Sequence, residues 1–274
     1  MRGNEIPFWP DSWADPSCKR PGKPRKKGLT MVIDKGLGLN AFDDILALAA
    51  DYVDIYKLGF GTSVLYPLDL LKQKVERAKA HGLHIMPGGT FFEIASKQAP
   101  FESYLARLRA IGFNSIEISD GTLPISPEAR RRAISLAADA GLTVYAEFGK
   151  KAVHFRVEAE ALLQSMEEDL QAGAGYVIVE ARESGTVGLY DAAGQVDPTF
   201  LTEVCRLAKG NANRLIWEAP QKDQQVALIQ TLGSDVNLGN IAHTDILSVE
   251  TLRRGLRGDT AAFILQERRS ATCE

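Results

Sequence analysis

The sequence predicts an α/β fold, a single (β/α)8 TIM barrel with an N-terminal extension. From Leu29 onward, short apolar runs alternate with amphipathic stretches, a pattern typical of βα units. Glycines that end predicted helices recur at spacings of 30, 29 and 32 residues, and eight runs have strand character. The 274 residues are enough for one such barrel. A doubly wound open sheet is the alternative, but the first strand-to-helix turn lacks the G-x-G-x-x-G pattern.

The first segment, residues 1–28, is predicted to be a basic, proline-containing arm. It holds five prolines and shows no helical or strand period, and six of the nine residues from Lys19 to Lys27 are basic. Blocks of like charge are usually solvated. The favoured interpretation is therefore a solvated tail, and the alternative is an arm that binds an anion or a partner.

The barrel domain is predicted over residues 29–260, and a C-terminal tail over residues 261–274. Gly82, Gly112, Gly141 and Gly173 each precede an apolar run, and glycine ends helices because it accepts a left-handed conformation. This register predicts eight strands, which are Leu29–Lys35, Val53–Gly59, His84–Pro87, Ser115–Ser119, Thr143–Phe148, Tyr176–Ala181, Leu215–Ala219 and Val236–Ile241.

The segments between these strands carry the signals of ordinary helices. Ser126, Pro127 and Glu128 supply a cap residue, a first-turn proline and a first-turn acid in succession. The segment from Leu68 to Ala78 carries one apolar stripe at helical spacing. Each strand is therefore followed by a helix that can cover the barrel.

The composition excludes several classes of protein. The formal net charge is -3, whereas a nucleic-acid-binding domain is typically basic. No run approaches the roughly 18 apolar residues of a membrane span, and no secretory signal is visible. Cys18, Cys205 and Cys273 are odd in number and far apart, which argues against a disulfide framework and a zinc–cysteine site. We expect a cytoplasmic protein.

Charged residues share one face of the predicted strands. Alternate strand residues of a barrel point inward, and the active site forms at the carboxyl ends of the strands. In the fifth strand Glu147 has the inward parity, while Val144 and Ala146 should face the helices. The same reasoning places at one mouth the residues Asp34, Lys57, Glu117, Glu147, Lys151, Glu180, Arg182 and Glu218.

Buried charges are costly unless they pair or bind a ligand, so this concentration predicts a functional site. The alternative is a structural ion-pair network. Carboxylates at the ends of neighbouring strands suit Mg²⁺, a hard cation that prefers oxygen ligands. The spacing of His81, His84, His154 and His243 matches no zinc motif. The cations at the same mouth predict an anionic substrate.

The last two βα units predict a phosphate site. TIM barrels often bind phosphate there through backbone N–H groups at a helix start, reinforced by lysine or arginine. Gly239, Asn240 and Arg254 are the candidates, although this arginine could equally cap or pair on the last helix. Gly88 and Gly89 form a second loop, which is either a plain turn or a close approach of the backbone to a ligand.

Ordered motifs recur throughout the barrel domain. They are I-D-K-G at Ile33, L-G-F-G-T-S at Leu58, P-G-G-T-F-F-E at Pro87, E-I-S-D-G at Glu117, E-F-G-K-K at Glu147, E-A-R-E-S-G at Glu180, E-A-P-Q-K-D-Q-Q-V at Glu218, N-L-G-N-I at Asn237 and L-R-R-G-L-R-G-D-T at Leu252. Through them the chain from Leu29 to Thr260 resembles the phosphosulfolactate synthase family. The arm and the tail lie outside the resemblance.

The resemblance implies a TIM-barrel enzyme of the carbon–sulfur lyase class. Members add sulfite to phosphoenolpyruvate with Mg²⁺ and form (2R)-phospho-3-sulfolactate, the first step of coenzyme M biosynthesis. A homo-oligomer is also implied. Two alternatives stay open, namely a related barrel enzyme with another nucleophile or enolpyruvyl substrate, and a noncatalytic stress-associated homologue.

That chemistry assigns provisional roles to the inward residues. Lys151, the second lysine of the family-like G-K-K, is expected to be the general acid, whereas Lys150 should point away. Arg182 and Lys57 are expected to bind the anion. The leading metal-ligand set is Glu147, Glu180 and Glu218, with Asp34 and Glu117 as competitors. The phosphate is expected near Gly239, Asn240 and Arg254, with Gly88 and Gly89 also at the substrate.

Overall fold

A computed structural model describes residues 8–151, 155–182 and 184–271, with the backbone only for residues 267–271. His154 and Cys273 therefore lie outside the described residues. The eight strands are all parallel, and seven of them begin and end within a predicted strand. They are β1 (Thr30–Asp34), β2 (Ile55–Leu58), β3 (His84–Pro87), β4 (Ser115–Ile118), β5 (Thr143–Phe148), β6 (Tyr176–Val179), β7 (Leu215–Glu218) and β8 (Leu238–Ala242).

The helices that follow the strands, alone or in pairs, cover the outside of the barrel, and one short helix lies in the arm before the first strand. They are α1 (Asp11–Ala14), α2 (Leu39–Ala49), α3 (Leu68–Ala80), α4 (Gly89–Gln98), α5 (Phe101–Ile111), α6 (Pro127–Asp139), α7 (Ala159–Ala172), α8 (Pro198–Leu207), α9 (Lys222–Leu232), α10 (Ile246–Arg254) and α11 (Gly258–Ala271). The predicted end signals are confirmed. Ser126 Oγ accepts a hydrogen bond from Ala129 N at 3.2 Å, and Gly112 and Gly173 end their helices in the left-handed region. The prediction of a (β/α)8 barrel is therefore confirmed.

The barrel is closed by side chains at one seam. Backbone pairing runs in the order β3-β2-β1-β8-β7-β6-β5-β4, so β3 and β4 lie side by side at the two ends of the ladder. Asn114, directly before β4, spans the seam. Its Oδ1 accepts from Ile85 N at 2.8 Å, and its Nδ2 donates to Leu83 O at 2.9 Å. This side-chain amide thus takes the place of a backbone ladder.

Replacing Asn114 with alanine is expected to lower the free energy of unfolding by about 1–3 kcal/mol, since two hydrogen bonds to backbone groups are lost. Urea denaturation measures the effect. Asn40→Ala, at an exposed position on α2, is the matched control and should change the free energy by less than about 0.5 kcal/mol. Equal effects in both variants would mean that the seam does not depend on Asn114.

The inside of the barrel is layered. Near the amino-terminal ends of the strands it is filled by apolar and aromatic side chains, which we call the floor layer: Leu29, Met31, Ile55, Met86, Tyr145, Ile178 and Ile216. The larger apolar core lies between the strands and the helices. Val144 and Ala146 belong to this outer core, whereas Glu147 lines the interior cavity, as their parity predicts. Charged groups inside the barrel are thereby confined to its carboxyl end.

The basic arm packs against the floor of the barrel. Arg20 Nε lies 3.1 Å from Glu250 Oε1, and its Nη1 donates to Gly28 O at 2.7 Å. Lys23 Nζ donates to Val53 O at 2.6 Å. The Arg20 and Glu250 side chains are both almost fully buried. The interpretation as a solvated tail is therefore wrong for these residues.

Two more basic residues of the arm show why it packs there. Arg25 pairs with buried Asp54 at 3.3 Å, and exposed Lys27 pairs with Asp235 at 2.7 Å. The floor offers acids and strand-start carbonyls, which the arm's cations can satisfy. Sequence patterning could not show these acids, because they follow the arm by many residues. The contacts also engage cations that the alternative interpretation assigned to an anion or a partner.

The predicted C-terminal tail forms most of a helix. The boundary at residue 260 falls inside α11, which packs against α9 and α10. Ile264 is buried, and it lies against Gly255 at the end of α10. The barrel layer of helices thus extends beyond the predicted domain. None of the helices in the described part of the chain combines the length and apolar character needed to cross a bilayer.

Candidate active site

A cavity of about 620 Å³ opens at the carboxyl ends of the strands. It collects most of the predicted inward charges together with small and hydroxyl residues. The lining consists of Ile33, Lys57, Phe60, Gly88, Gly89, Thr90, Glu117, Thr122, Glu147, Lys151, Glu180, Arg182, Ser184, Glu218 and Asn240.

Lys57 is the cation deepest in this cavity. It comes from β2 and is almost fully buried, with its Nζ 3.1 Å from Glu218 Oε1 and 3.3 Å from Glu117 Oε2. The second oxygen of Glu218 accepts from Ala181 N at 3.0 Å. Burial by itself would lower the pKa of Lys57, but Glu117 and Glu218 outweigh it and hold that pKa above its ordinary value. The ammonium group therefore stays charged.

Lys151 forms a second cationic centre nearer to the opening. Its Nζ lies 3.0 Å from Glu147 Oε1, 3.3 Å from Glu180 Oε2 and 3.5 Å from Thr90 Oγ1. Burial opposes its charge, yet Glu147 and Glu180 raise the pKa of Lys151 above its ordinary value. Lys150 instead pairs with Asp120 at 2.5 Å and does not line the cavity. The predicted opposite directions of the two lysines are confirmed.

The four glutamates of the cavity face only two lysines, so their carboxyl groups are not ionised equally. Burial and the Glu147 carboxylate outweigh Lys57 and raise the pKa of Glu117 to about 8. Burial would also raise the pKa of Glu147, but Lys151 and Lys57 lower it to about 2. Burial, with Glu147 and Glu218, holds the pKa of Glu180 well above its usual range. The interior thus holds two more carboxyl groups than ammonium groups.

The pH dependence of the free energy of unfolding should reveal that Glu117 is protonated in the folded protein. Its pKa rises from an ordinary 4.5 to about 8, so between these values the folded protein binds more protons than the unfolded chain. This group therefore destabilises the fold increasingly as the pH rises through that window. Glu117→Gln cannot ionise. We expect its free energy of unfolding to rise relative to wild type, by at most about 1.4 kcal/mol per pH unit.

Urea denaturation at about pH 5 and about pH 8, with a chelator present, measures this difference. Glu76→Gln, at an exposed position on α3, is the control and should give a difference that does not change with pH. If the Glu117→Gln difference were equally flat, the carboxyl group would be ionised throughout the range.

Arg182 lies at the rim of the cavity. It is exposed, its φ is 58°, and its backbone N–H donates to Glu180 Oε1. Its guanidinium group makes no hydrogen bond or ion pair with another residue in the described ranges. A guanidinium group at the opening that has no partner among the described residues is suited to contact an anion.

Asn240 and the glycines line the same cavity or support its wall. Asn240 has a φ of 54° and is buried, and its Oδ1 has no hydrogen-bond partner among the described residues. Gly239 lies beneath it, where a Cβ would come within 2.7 Å of Met31 Cε. Gly89 N donates to Glu117 Oε1 at 3.1 Å, and a Cβ there would lie 2.6 Å from Ser119 Oγ. Gly89 is therefore required for close packing against β4.

Asp34 does not belong to the cavity, and its predicted place as a competing metal ligand is wrong. Ile33 takes the inward position of β1, while Asp34 pairs with Lys74 from α3 in the outer core. The Asp34 carboxylate also accepts from Gly36 N and Leu37 N, at 2.7 and 2.8 Å. Its role is to anchor the loop after β1 to α3.

Arg254 also lies elsewhere, so its predicted phosphate contact is wrong. It stands at the last turn of α10, near the floor, because that helix runs from the mouth toward the opposite end of the barrel. Its Nε lies 2.7 Å from Glu250 Oε1, its Nη1 donates to Ala14 O, and its guanidinium stacks over Tyr52. Arg254 therefore helps to hold the arm.

Sequence reasoning missed a buried acid that shapes the wall of the cavity. Glu93 on α4 accepts hydrogen bonds from Ser119 Oγ at 2.5 Å, Thr122 N at 3.0 Å and Leu123 N at 2.6 Å. It fixes the loop after β4 against α4. The available signal was an acid next to Phe92 on the apolar face of a helix, where an ordinary acid would be exposed.

The donor set fits Mg²⁺ only in part. Among the described residues, no three histidine, cysteine, aspartate or glutamate side chains converge as a metal cage. Mg²⁺ nevertheless often takes only one or two protein carboxylates and fills its shell with water and substrate. The cavity glutamates and Asn240 Oδ1, which has no hydrogen-bond partner among the described residues, supply oxygen donors for such an ion.

Comparison with known proteins gives a consistent result. A family profile for (2R)-phospho-3-sulfolactate synthase (ComA) matches residues 18–259. Phosphosulfolactate synthase from Methanothermobacter thermautotrophicus is 44% identical over 245 residues, which cover 88% of this chain and 94% of the relative. The enzyme of the same name from Methanocaldococcus jannaschii is 45% identical over 239 residues, 86% of this chain and 94% of the relative.

Solved structures resemble the fold at much lower identity. The 3-hexulose-6-phosphate synthase from Salmonella typhimurium superposes with a TM-score of 0.53 and 15% identity, covering 87% of this chain and 99% of that one. At this identity the likeness supports the barrel architecture alone.

Proposed function

Because the chain belongs to the (2R)-phospho-3-sulfolactate synthase family, we propose that it adds sulfite to phosphoenolpyruvate with Mg²⁺ and forms (2R)-phospho-3-sulfolactate. The observation that carries this proposal is the pairing of Lys57 and Lys151 with four carboxyl groups in one cavity at the carboxyl end of the barrel. The cations of such a cavity can bind an anionic substrate, and its acidic groups can donate a proton. The reaction belongs to the carbon–sulfur lyase class.

The proposed reaction forms one C–S bond and one C–H bond. The sulfur lone pair of sulfite attacks the methylene carbon of phosphoenolpyruvate, and the electrons of the C=C bond move toward the substrate carboxylate. The enolate-like species then takes a proton on the carbon that bears the phosphate ester, which stays intact. Cations near the substrate carboxylate stabilise the charge that develops there.

The cavity residues take the following proposed roles. Lys57 and Arg182 bind the anionic groups of the substrate. Lys151 delivers the proton, since it is charged and lies nearer to the opening. The phosphate binds near Gly239 and Asn240 on one wall, and Gly88 and Gly89 form the opposite wall.

The metal ion would be held by one or two carboxylates of Glu147, Glu180 and Glu218, with Glu117 as the competitor. When bound, it supplies a Lewis acid that stabilises negative charge on the substrate. Its positive charge would also suit an interior in which four glutamates face two lysines.

Phosphorus NMR tests the function directly. The purified protein is incubated with phosphoenolpyruvate and Mg²⁺, with and without sulfite, and with a chelator as control. We expect a new phosphorus signal that requires both sulfite and the metal ion. Silence with phosphoenolpyruvate still bound by calorimetry would point to another nucleophile, and silence without binding would point to a noncatalytic stress-associated homologue.

Three further parts of the proposal follow from the family resemblance. The product would enter coenzyme M biosynthesis, the protein would work in the cytoplasm, and it would assemble as a homo-oligomer. Light scattering of the purified chain measures the last of these, and a monomeric mass would contradict it.

A further inference from the structure

A second cavity of about 450 Å³ lies beside the first one. It is formed by the segment after β5, which carries Phe155 and Arg156, and by the loop after β6, which carries Ser184 and Thr186. Arg182 and Ser184 line both cavities. The two spaces therefore share a wall, and one cation stands on it.

The second cavity has the chemistry of an anion site. Its described lining includes two guanidinium groups, Arg156 and Arg182, and no aspartate or glutamate. Two hydroxyl groups lie in the same lining, with Ser184 Oγ 2.9 Å from Thr186 Oγ1. Guanidinium and hydroxyl groups bind oxyanions by charge-assisted hydrogen bonds. The first cavity differs because its two lysines are already paired with glutamates.

The wall that carries these groups is held in place. Arg156 Nη1 donates to Tyr190 O at 2.7 Å, and Tyr190 Oη donates to Glu218 O at 2.7 Å. Gln224, buried on α9, donates to Gly185 O at 2.7 Å and so ties the loop after β6 to the barrel. These contacts fix the described parts of the wall before a ligand binds, which lowers the cost of binding.

We propose that the second cavity is the docking site of the small oxyanion that reacts with the larger substrate, which is sulfite if the proposed function holds. Sulfite binds between Arg156 and Thr186 and reaches the first cavity past Arg182. The identity of the anion follows from the proposed function, whereas its location follows from the described residues. A separate site also keeps the dianion away from the excess of carboxyl groups until the larger substrate is bound.

Steady-state kinetics of Arg156→Gln test this site. We expect the KM for sulfite to rise about tenfold or more, because one charge-assisted contact is lost. The KM for phosphoenolpyruvate and kcat at saturating sulfite should change less than about twofold, because Arg156 does not line the first cavity. Thr186→Val should raise the same KM by a smaller factor. Arg107→Gln, at an exposed position on α5, is the control.

Sulfate, an unreactive oxyanion, separates the failure of this site from the failure of the proposed function. Calorimetric titration with sulfate should show binding that weakens about tenfold in Arg156→Gln, even in a protein that does not turn over sulfite. An unchanged KM for sulfite in an active Arg156→Gln protein would overturn the proposal. Sulfate binding that is equal in wild type and variant would overturn it as well.

Discussion

Methionine in place of Lys57 is expected to lower the free energy of unfolding by about 3–5 kcal/mol near neutral pH. The substitution keeps most of the side-chain volume but leaves the Glu117 and Glu218 carboxyl groups without their buried cation. Turnover should fall below detection at the same time, because the substrate loses its deepest positive charge. Urea denaturation and the phosphorus NMR assay measure the two effects.

Two further variants separate charge from packing at this position. Lys72→Met, at an exposed position on α3, should change the free energy of unfolding by less than about 0.5 kcal/mol. The double variant Lys57→Met/Glu218→Gln should recover part of the lost stability, since it removes one of the stranded charges. A Lys57→Met protein as stable as wild type would show that the ion pairs do not stabilise the fold.

Replacing Lys151 with alanine is expected to lower kcat by about 10²–10⁴-fold while leaving the protein folded. Lys151 is the proposed proton donor, and its Nζ lies within 3.5 Å of Glu147, Glu180 and Thr90 around the open part of the cavity. Lys151→Arg keeps the positive charge but replaces the compact ammonium group with a planar guanidinium group, which cannot present a proton from the same position. We expect it to retain binding of phosphoenolpyruvate without restoring kcat.

Lys150→Ala is the matched control for this experiment. The neighbouring lysine is bound to Asp120 outside the cavity, so its loss should leave kcat within about twofold of wild type. Sulfite-dependent turnover that persisted unchanged in Lys151→Ala would exclude Lys151 as the proton donor.

The barrel could be predicted because its signals are local. Each helix-ending glycine acts within its own turn, and the apolar runs that follow define the strands within a few residues. The inward parity of β5 was also readable, since Glu147 alternates with apolar neighbours. In β1 the polar residues Thr30 and Asp34 share a face with Val32, and this face packs toward the helices, so the expectation that the polar face points inward failed there. Asp34 was therefore assigned to the wrong side of its strand.

The errors elsewhere concern partners that are distant along the chain. Lys74 meets Asp34 across 40 residues, and Arg20 meets Glu250 across 230 residues. No spacing rule connects such positions. Glu93 was missed for a similar reason, because the backbone N–H groups that it satisfies belong to a loop about 30 residues later. Individual contacts in the site can be identified only in the folded chain, whereas the end of the barrel at which they gather can be predicted from the sequence.

The seam between β3 and β4 connects the mouth of the barrel to groups that line its cavity. The hydrogen bonds of Asn114 join the two strands near their amino-terminal ends. The hydrogen bond from Gly89 N to the Glu117 carboxyl group joins them near their carboxyl ends. A ligand that binds the Glu117 carboxyl group competes with the hydrogen bond from Gly89 N, whereas the hydrogen bonds of Asn114 are not affected. The position of Gly89 at the start of α4 is therefore tied to the Glu117 carboxyl group through one hydrogen bond, at a place where no backbone ladder joins the two strands.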